Sequence, residues 1–192
     1  MNWDWLLGFI EGEGSFSVAI RRDKTSRCGF QVMPVFQLSQ GWGEENKILM
    51  IEIKDFLLSH GINATMYADN RGINDGIRNN QYMPRWKIHI YSLENSRRLF
   101  RLLNGLEWNT KKRNDFMVWG KTLEMMERGE HLSREGISKI LRMRLDNIKH
   151  VGRHRINKKL LIEFGMLDEY RTKIDTSVHC GKEASEIGGN VE

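Results

Sequence analysis

Cysteine is nearly absent from this chain, with only Cys28 and Cys180 in 192 residues. Two thiols that far apart exclude a disulfide framework and fit a reducing intracellular compartment, either cytoplasm or an organelle. His179-Cys180 lacks the second ligand pair that a structural zinc site needs and is read as incidental. No apolar run approaches the ~18 residues of a membrane span, so no membrane partner is expected. The amino terminus has no basic region followed by an apolar one, which speaks against a secretory signal.

At 40% hydrophobic residues, the chain can bury a core, and its length suits one domain or one core with an appendage. The net charge is +5, and its distribution says more than its size. The first fourteen residues hold Asp4, Glu11 and Glu13 and no base, whereas Arg134 to Lys173 holds eleven Lys/Arg against five Asp/Glu. Segregation of a basic carboxyl-terminal part from an acidic amino-terminal stretch points to nucleic acid more than the modest total does.

The most informative stretch is Leu6-Leu7-Gly8-Phe9-Ile10-Glu11-Gly12-Glu13-Gly14-Ser15. An apolar helical segment carries two glycines four apart, then delivers two carboxylates at alternating positions into a glycine turn that opens a strand. Glycine inside a helix costs about 1 kcal/mol against alanine, so two of them need a reason. On one face, Gly8 and Gly12 would let a second helix come to near backbone contact. Glu13, at the end of the helix, would then lie beside its counterpart, and two carboxylates that close need a cation between them.

This stretch resembles the LAGLIDADG motif of homing endonucleases, in register from Leu6 to Gly14 with Ser15 following. It departs in having glutamate at both acidic positions, where aspartate is commoner, which lengthens the carboxylate's reach without removing it. The resemblance implies an α+β, LAGLIDADG homing-endonuclease-like fold, an αββαββα core whose antiparallel sheet forms a DNA-binding saddle, here with extra C-terminal helices. It implies a site-specific homing endonuclease making Mg²⁺-dependent double-strand breaks across the minor groove of a long pseudo-palindromic DNA target. Short 3′ overhangs and an origin in a mobile intron or free-standing gene go with it. Mn²⁺ is expected to substitute, and Ca²⁺ to bind without supporting cleavage.

No second copy of the motif is present; Phe164-Gly165-Met166-Leu167-Asp168-Glu169 echoes it but lacks the closing Gly-acid-Gly. The family's two-motif platform must therefore come from a homodimer, with Leu7, Gly8, Glu11 and Gly12 at the interface. Glu13 is the expected catalytic metal ligand, one per strand to be cut, and the resemblance implies that the Gly12 carbonyl also binds metal. Glu11 points elsewhere on the helix and takes a structural role, capping at the interface. By register from Phe36-Gln37-Leu38-Ser39-Gln40, Gln40 matches the family's water-orienting glutamine. The family's lysine corresponds to Lys112 or, next in order, Lys111; alternatively Lys111 to Arg113 bind DNA backbone. Glu44 and Glu45 stand where some relatives carry an arginine, which leaves one pocket contact unassigned. Two rivals share the fold: an RNA maturase assisting intron splicing, with intron RNA as partner, and a DNA-binding regulator without catalysis. The presence of Glu13 argues against both.

Along the chain, Asp4 to Glu11 reads as a helix capped by Asn2 or Asp4, with Trp5 and Phe9 assigned to the core. Period-two alternation predicts strands over Ser15–Arg22, Phe30–Gln40, Thr65–Asp69 and Arg85–Tyr91. Pro34 implies an edge position or a bulge there. A polar hairpin tip spans Arg22–Gly29, and a long Asn/Gly-rich turn spans Asn70–Met83. Helices are expected over Glu44–His60, from Ser92 to Asn104, over Thr110–Arg128, from Ser133 to about Lys149, and from the basic linker His150–Lys159 to near Tyr170. The organisation is a core at 1–130, a basic helical extension at 131–171, and a tail at 172–192 expected to be mobile.

If one sheet face packs on helices, the other carries Ser17, Arg21, Gln31, Gln37, Ser39, Tyr67, Asp69, Arg71, Arg85, Lys87 and His89. Taken singly, each fits an ordinary solvated face; together they are rich in Arg, Gln and Lys and poor in Glu, which favours double-stranded DNA. A strand of about eight residues spans roughly 26 Å, enough to follow most of a duplex turn. Arg153, Arg155, Lys158 and Lys159 are candidates for phosphate contact in the extension, with solvated helix faces as the alternative. His150, His154 and Asn157 are too cramped, and lack the ββα-metal setting, for an HNH nuclease.

Overall fold

The computed structural model describes residues 1–70, 83–147 and 156–173. The Asn70–Met83 turn beyond its ends, the His150–Arg155 part of the basic linker and nearly all of the 172–192 tail lie outside the described residues, as do Arg71, Arg153 and Arg155.

Helix α1 (Trp3–Glu13) begins at Asn2, whose side chain accepts from the Trp5 amide, so Asn2 rather than Asp4 is the cap. Its buried side is Leu6, Leu7 and Ile10. The helix ends because Gly14 packs onto its last turn: a Cβ there would come within 2.6 Å of the Ile10 carbonyl oxygen. Chain direction therefore changes at once from helix to strand, which fixes Glu13 at the junction.

Strands β1 (Gly14–Arg22), β2 (Phe30–Gly41), β3 (Thr65–Asp69) and β4 (Arg85–Ile90) form one antiparallel sheet in the order β1-β2-β4-β3. Between β1 and β2, the Asp23 carboxylate accepts from Thr25 and Ser26 and organises the hairpin tip. β2 is internal, but its pairing with β4 runs only over Phe36–Gly41, so at Pro34 the strand is locally an edge, as its missing N–H requires.

Helices α2 (Glu44–Ser59), α3 (Leu93–Asn104) and α4 (Lys112–Glu127) complete the α-β-β-α-β-β-α-α order that the sequence suggested. They cover the sheet face bearing Phe16, Val18, Phe36, Leu38, Ile88 and Ile90, and Trp119 and Phe116 fill the centre. The opposite face is left without a covering layer among the described residues.

A 3-10 turn (Glu130–Leu132) leads to α5 (Arg134–Asp146), capped by Ser133. The helix expected to end near Tyr170 is two: α6 (Lys158–Glu163) stops at Phe164-Gly165, where φ at Gly165 is +65°, and residues 167–173 are helical again. Ile137, Ile140, Leu145, Leu160 and Leu161 join the same buried cluster as the sheet. At the surface, Glu163 bridges Arg22 of β1 and Arg134 of α5, and the Arg134 guanidinium lies 4.5 Å over the Phe164 ring.

Candidate active site and nucleic-acid interface

Helix α1 determines what is presented at its carboxyl end. Glu13 is exposed at the last position, and Gly12 precedes it with its Cβ direction open. Lys112, the first residue of α4, donates from Nζ to the carbonyl oxygens of Ile10 at 3.1 Å and Gly12 at 3.2 Å. A cation at a helix carboxyl terminus is favoured by the dipole, and here the Ile10 carbonyl accepts from the Gly14 amide as well as from Lys112. Lys111 occupies the exposed N-cap position of α4. Of the two lysines, Lys112 has its ammonium beside the Gly12–Glu13 end.

Glu11 acts within its own chain. Its Oε1 accepts from the amides of Asn109 at 2.9 Å and Thr110 at 2.6 Å, in the turn that opens α4. Burial works against its charge, but the hydrogen bonds from Thr110 and Asn109 outweigh it and hold the carboxyl below its usual range. Glu11 and Lys112 together clamp the start of α4 onto the end of α1. The cap expected at an interface is therefore made inside the monomer.

The outward side of α1 carries Gly8 and Gly12, both with nothing within 4 Å of an added Cβ. Beside them Trp5 and Phe9 stack at 5.4 Å and 9°. Trp5, assigned to the core from its i, i+4 spacing, is 45% exposed; Leu7, assigned to a dimer interface, is 3% exposed and packs into the chain's own core. Trp5 is left on the outer face because the inner one is already filled by Leu6, Leu7 and Ile10, whereas Phe9 is half-buried and packs against the core as expected.

Gln40 is half-buried near the end of β2. The last β1–β2 pair is Gly14↔Leu38, so Gln40 lies two residues beyond it, at the end of the sheet where α1 delivers Glu13. Trp42 follows, 54% exposed and stacked on Trp86 at 4.7 Å, while Trp86 Nε1 donates to the Gly43 carbonyl. Sequence reasoning overlooked Trp42; the Gly41-Trp42-Gly43 triplet between strand and helix was its only signal.

The open sheet face holds Ser17, Arg21, Gln31 and Arg85 exposed, and Gln37, Ser39 and Tyr67 half-buried. Three expected reading residues are otherwise engaged. Lys87 and Asp69 form a 2.6 Å ion pair and are 9% and 2% exposed, so they are not freely solvated side chains. They are diagonal neighbours, since Lys87 pairs with Tyr67 and Asp69 with Arg85. His89 is also buried, hydrogen-bonded to Gln37, Tyr67 and Tyr91. The hydroxyl of Ser39 is buried without a partner among the described residues. Lys158 and Lys159 are exposed on the first turn of α6.

A LAGLIDADG endonuclease family model matches residues 6–123. The homing endonuclease I-TnaI superimposes with a TM-score of 0.69 at 27% identity, covering 85% of this chain and 98% of that one. An archaeal intron-encoded homing endonuclease complexed with DNA gives 0.66 at 23% identity, covering 88% and 96%, a likeness of fold. The sequence is also 27% identical over 142 residues to a probable intron-encoded endonuclease of Neurospora crassa, covering 74% of this chain and 24% of that protein. It is 27% identical over 172 residues to an uncharacterized mitochondrial protein of Saccharomyces cerevisiae, covering 84% of this chain and 34% of that protein. The chain thus spans about a third of one of these relatives and about a quarter of the other. From the motif on α1, the four-stranded sheet it feeds and the match over most of both, this chain belongs to the LAGLIDADG endonuclease family.

Proposed function

We propose that two copies of this chain form a homing endonuclease that makes a site-specific, Mg²⁺-dependent double-strand break in a long pseudo-palindromic DNA target. The observation that carries this reading is the Lys112 ammonium bonded to the Ile10 and Gly12 carbonyls, which sets a fixed positive charge at the end of α1 that Glu13 closes. The open glycine seam at Gly8 and Gly12 supports a second α1 lying against the first.

The donor set suits a hard divalent cation: the Glu13 carboxylate and the second lone pair of the Gly12 carbonyl, whose first accepts from Lys112, are both oxygen donors. Among the described residues, no group of three His, Cys, Asp or Glu side chains could hold a metal, so Glu13 of a second copy and substrate phosphates would supply the remainder. When bound, such a cation neutralises phosphate charge and favours ionisation of an attacking water. In this reading Lys112 presents its charge to the non-bridging oxygens of the scissile phosphate. Gln40 orients the water from the end of β2, and Glu11 holds α4, and with it Lys112, in place. Arg21, Gln31, Gln37 and Arg85 face base edges from the sheet. Mn²⁺ would serve in place of Mg²⁺, and Ca²⁺ would permit binding without cutting.

Selection from a random duplex pool, followed by incubation of the recovered duplexes with Mg²⁺, tests this. A two-fold-related consensus that is then cut on both strands is the expected result. Preferential recovery of structured RNA without cutting would instead support the maturase.

A further inference from the structure

His89 sits in register between Gln37 of β2 and Thr65 of β3, on the open sheet face. The Tyr91 hydroxyl and His89 Nδ1 are hydrogen-bonded to each other, and His89 Nε2 lies 2.6 Å from Gln37 Oε1. An amide oxygen only accepts, so Nε2 carries the ring proton and donates it to the Gln37 carbonyl, which leaves Nδ1 to accept from the Tyr91 phenol. Tyr67 closes the cluster, its hydroxyl 3.2 Å from Nε2 and its ring edge-on to the imidazole at 5.1 Å and 85°. His89 is 9% exposed, so the surrounding side chains hold the ring in place.

We propose that His89 is a positioning residue that fixes Gln37 as a donor-only reader of DNA base edges. This rests on the proposed DNA-cutting function. A free glutamine amide can pair with adenine through both ends, its carbonyl accepting from N6 and its NH₂ donating to N7. Here the carbonyl is taken by His89, and the NH₂ has no protein partner among the described residues. What remains is a pair of donors, which match the N7 and O6 acceptors of guanine or the O4 of thymine. The half-buried position of Gln37 limits the amide's freedom to turn over. The specificity at the base pair under Gln37 is therefore set by a residue that need not touch DNA.

Selection of targets from a random duplex pool with wild type, Gln37→Ala, His89→Phe, His89→Gln and Tyr91→Phe tests this. Gln37→Ala should abolish discrimination at one base pair per half-site, and that pair should carry guanine or thymine in the wild-type consensus. His89→Phe should shift the same pair toward adenine, by at least about fivefold in the adenine-to-guanine ratio. His89→Gln, which keeps a donor near the Nε2 position, should retain the wild-type preference. Tyr91 is 61% exposed, so Tyr91→Phe should fold normally and shift the pair in the same direction as His89→Phe. If His89→Phe does not fold, Tyr91→Phe decides. An unchanged consensus in whichever of these two variants decides, or a change at pairs that Gln37→Ala leaves alone, overturns the proposal while the endonuclease reading stands. If wild type itself enriches no duplex, the endonuclease reading fails first and this inference with it.

Discussion

The Lys112 ammonium lies 3.2 Å from the carbonyl oxygen of Gly12, a residue 100 positions earlier in the chain. That bond ties the first residue of α4 to the end of α1 and keeps a positive charge at the carboxylate end of the motif. Lys112→Met should lower the rate of DNA cleavage by about a hundredfold or more, with specific DNA affinity changed little. Lys111→Met, at the exposed cap, should act on affinity and its salt dependence instead. Single-turnover cleavage and binding titrations on the same duplex separate the two; equal losses of rate from both would remove the distinction.

The glycine seam makes a prediction about assembly. An added side chain at Gly8 meets nothing in the isolated chain, so Gly8→Leu should leave the fold and far-ultraviolet circular dichroism intact. It should convert a dimer to a monomer in sedimentation, because two helices could no longer approach at that point. A Gly8→Leu dimer as tight as wild type would place the interface elsewhere.

Glu11 links stability to pH. Its folded pKa is lowered, so its contribution is present above its ordinary value near 4.5 and is lost as pH falls through the lower folded value. Glu11→Gln should therefore melt below wild type at neutral pH, and the difference should shrink as the solution is acidified past that range. A gap that stays constant from neutral to strongly acid pH would mean that the carboxylate's charge plays no part.

The Asp69–Lys87 pair is buried, and removing Asp69 takes its carboxylate away from a buried ammonium. Asp69→Ala should destabilise the fold by about 3 kcal/mol or more in denaturant titrations. Replacing both together with apolar residues of similar size should recover most of that loss. A single substitution with no effect would show that water reaches Lys87 freely.

Much of this arrangement was legible in the residues. The motif is contiguous, so its helix, its turn and the exit into β1 could be read directly, and period two identified all four strands. Ser92, Ser133 and the glycines after the helices marked boundaries by local chemistry alone. Alternation assigns a side chain to a face but does not say what covers it, which is why Lys87 and Asp69 read as solvated. Their partnership depends on the order β1-β2-β4-β3, a long-range property that no local pattern carries. Trp5 misled for a related reason: i, i+4 apolar spacing identifies a stripe, and α1 has apolar residues on more than one side. Lys112 could not be separated from Lys111 until α4 was placed against α1.

The central claim is that Glu13 carries cleavage chemistry on a platform that binds DNA without it. The most direct measurement compares wild type and Glu13→Gln on one selected duplex, reading cleavage in Mg²⁺ and affinity in Ca²⁺. The account predicts that Glu13→Gln binds the duplex about as tightly as wild type and cuts neither strand. Cutting of both strands by Glu13→Gln at close to the wild-type rate would contradict it.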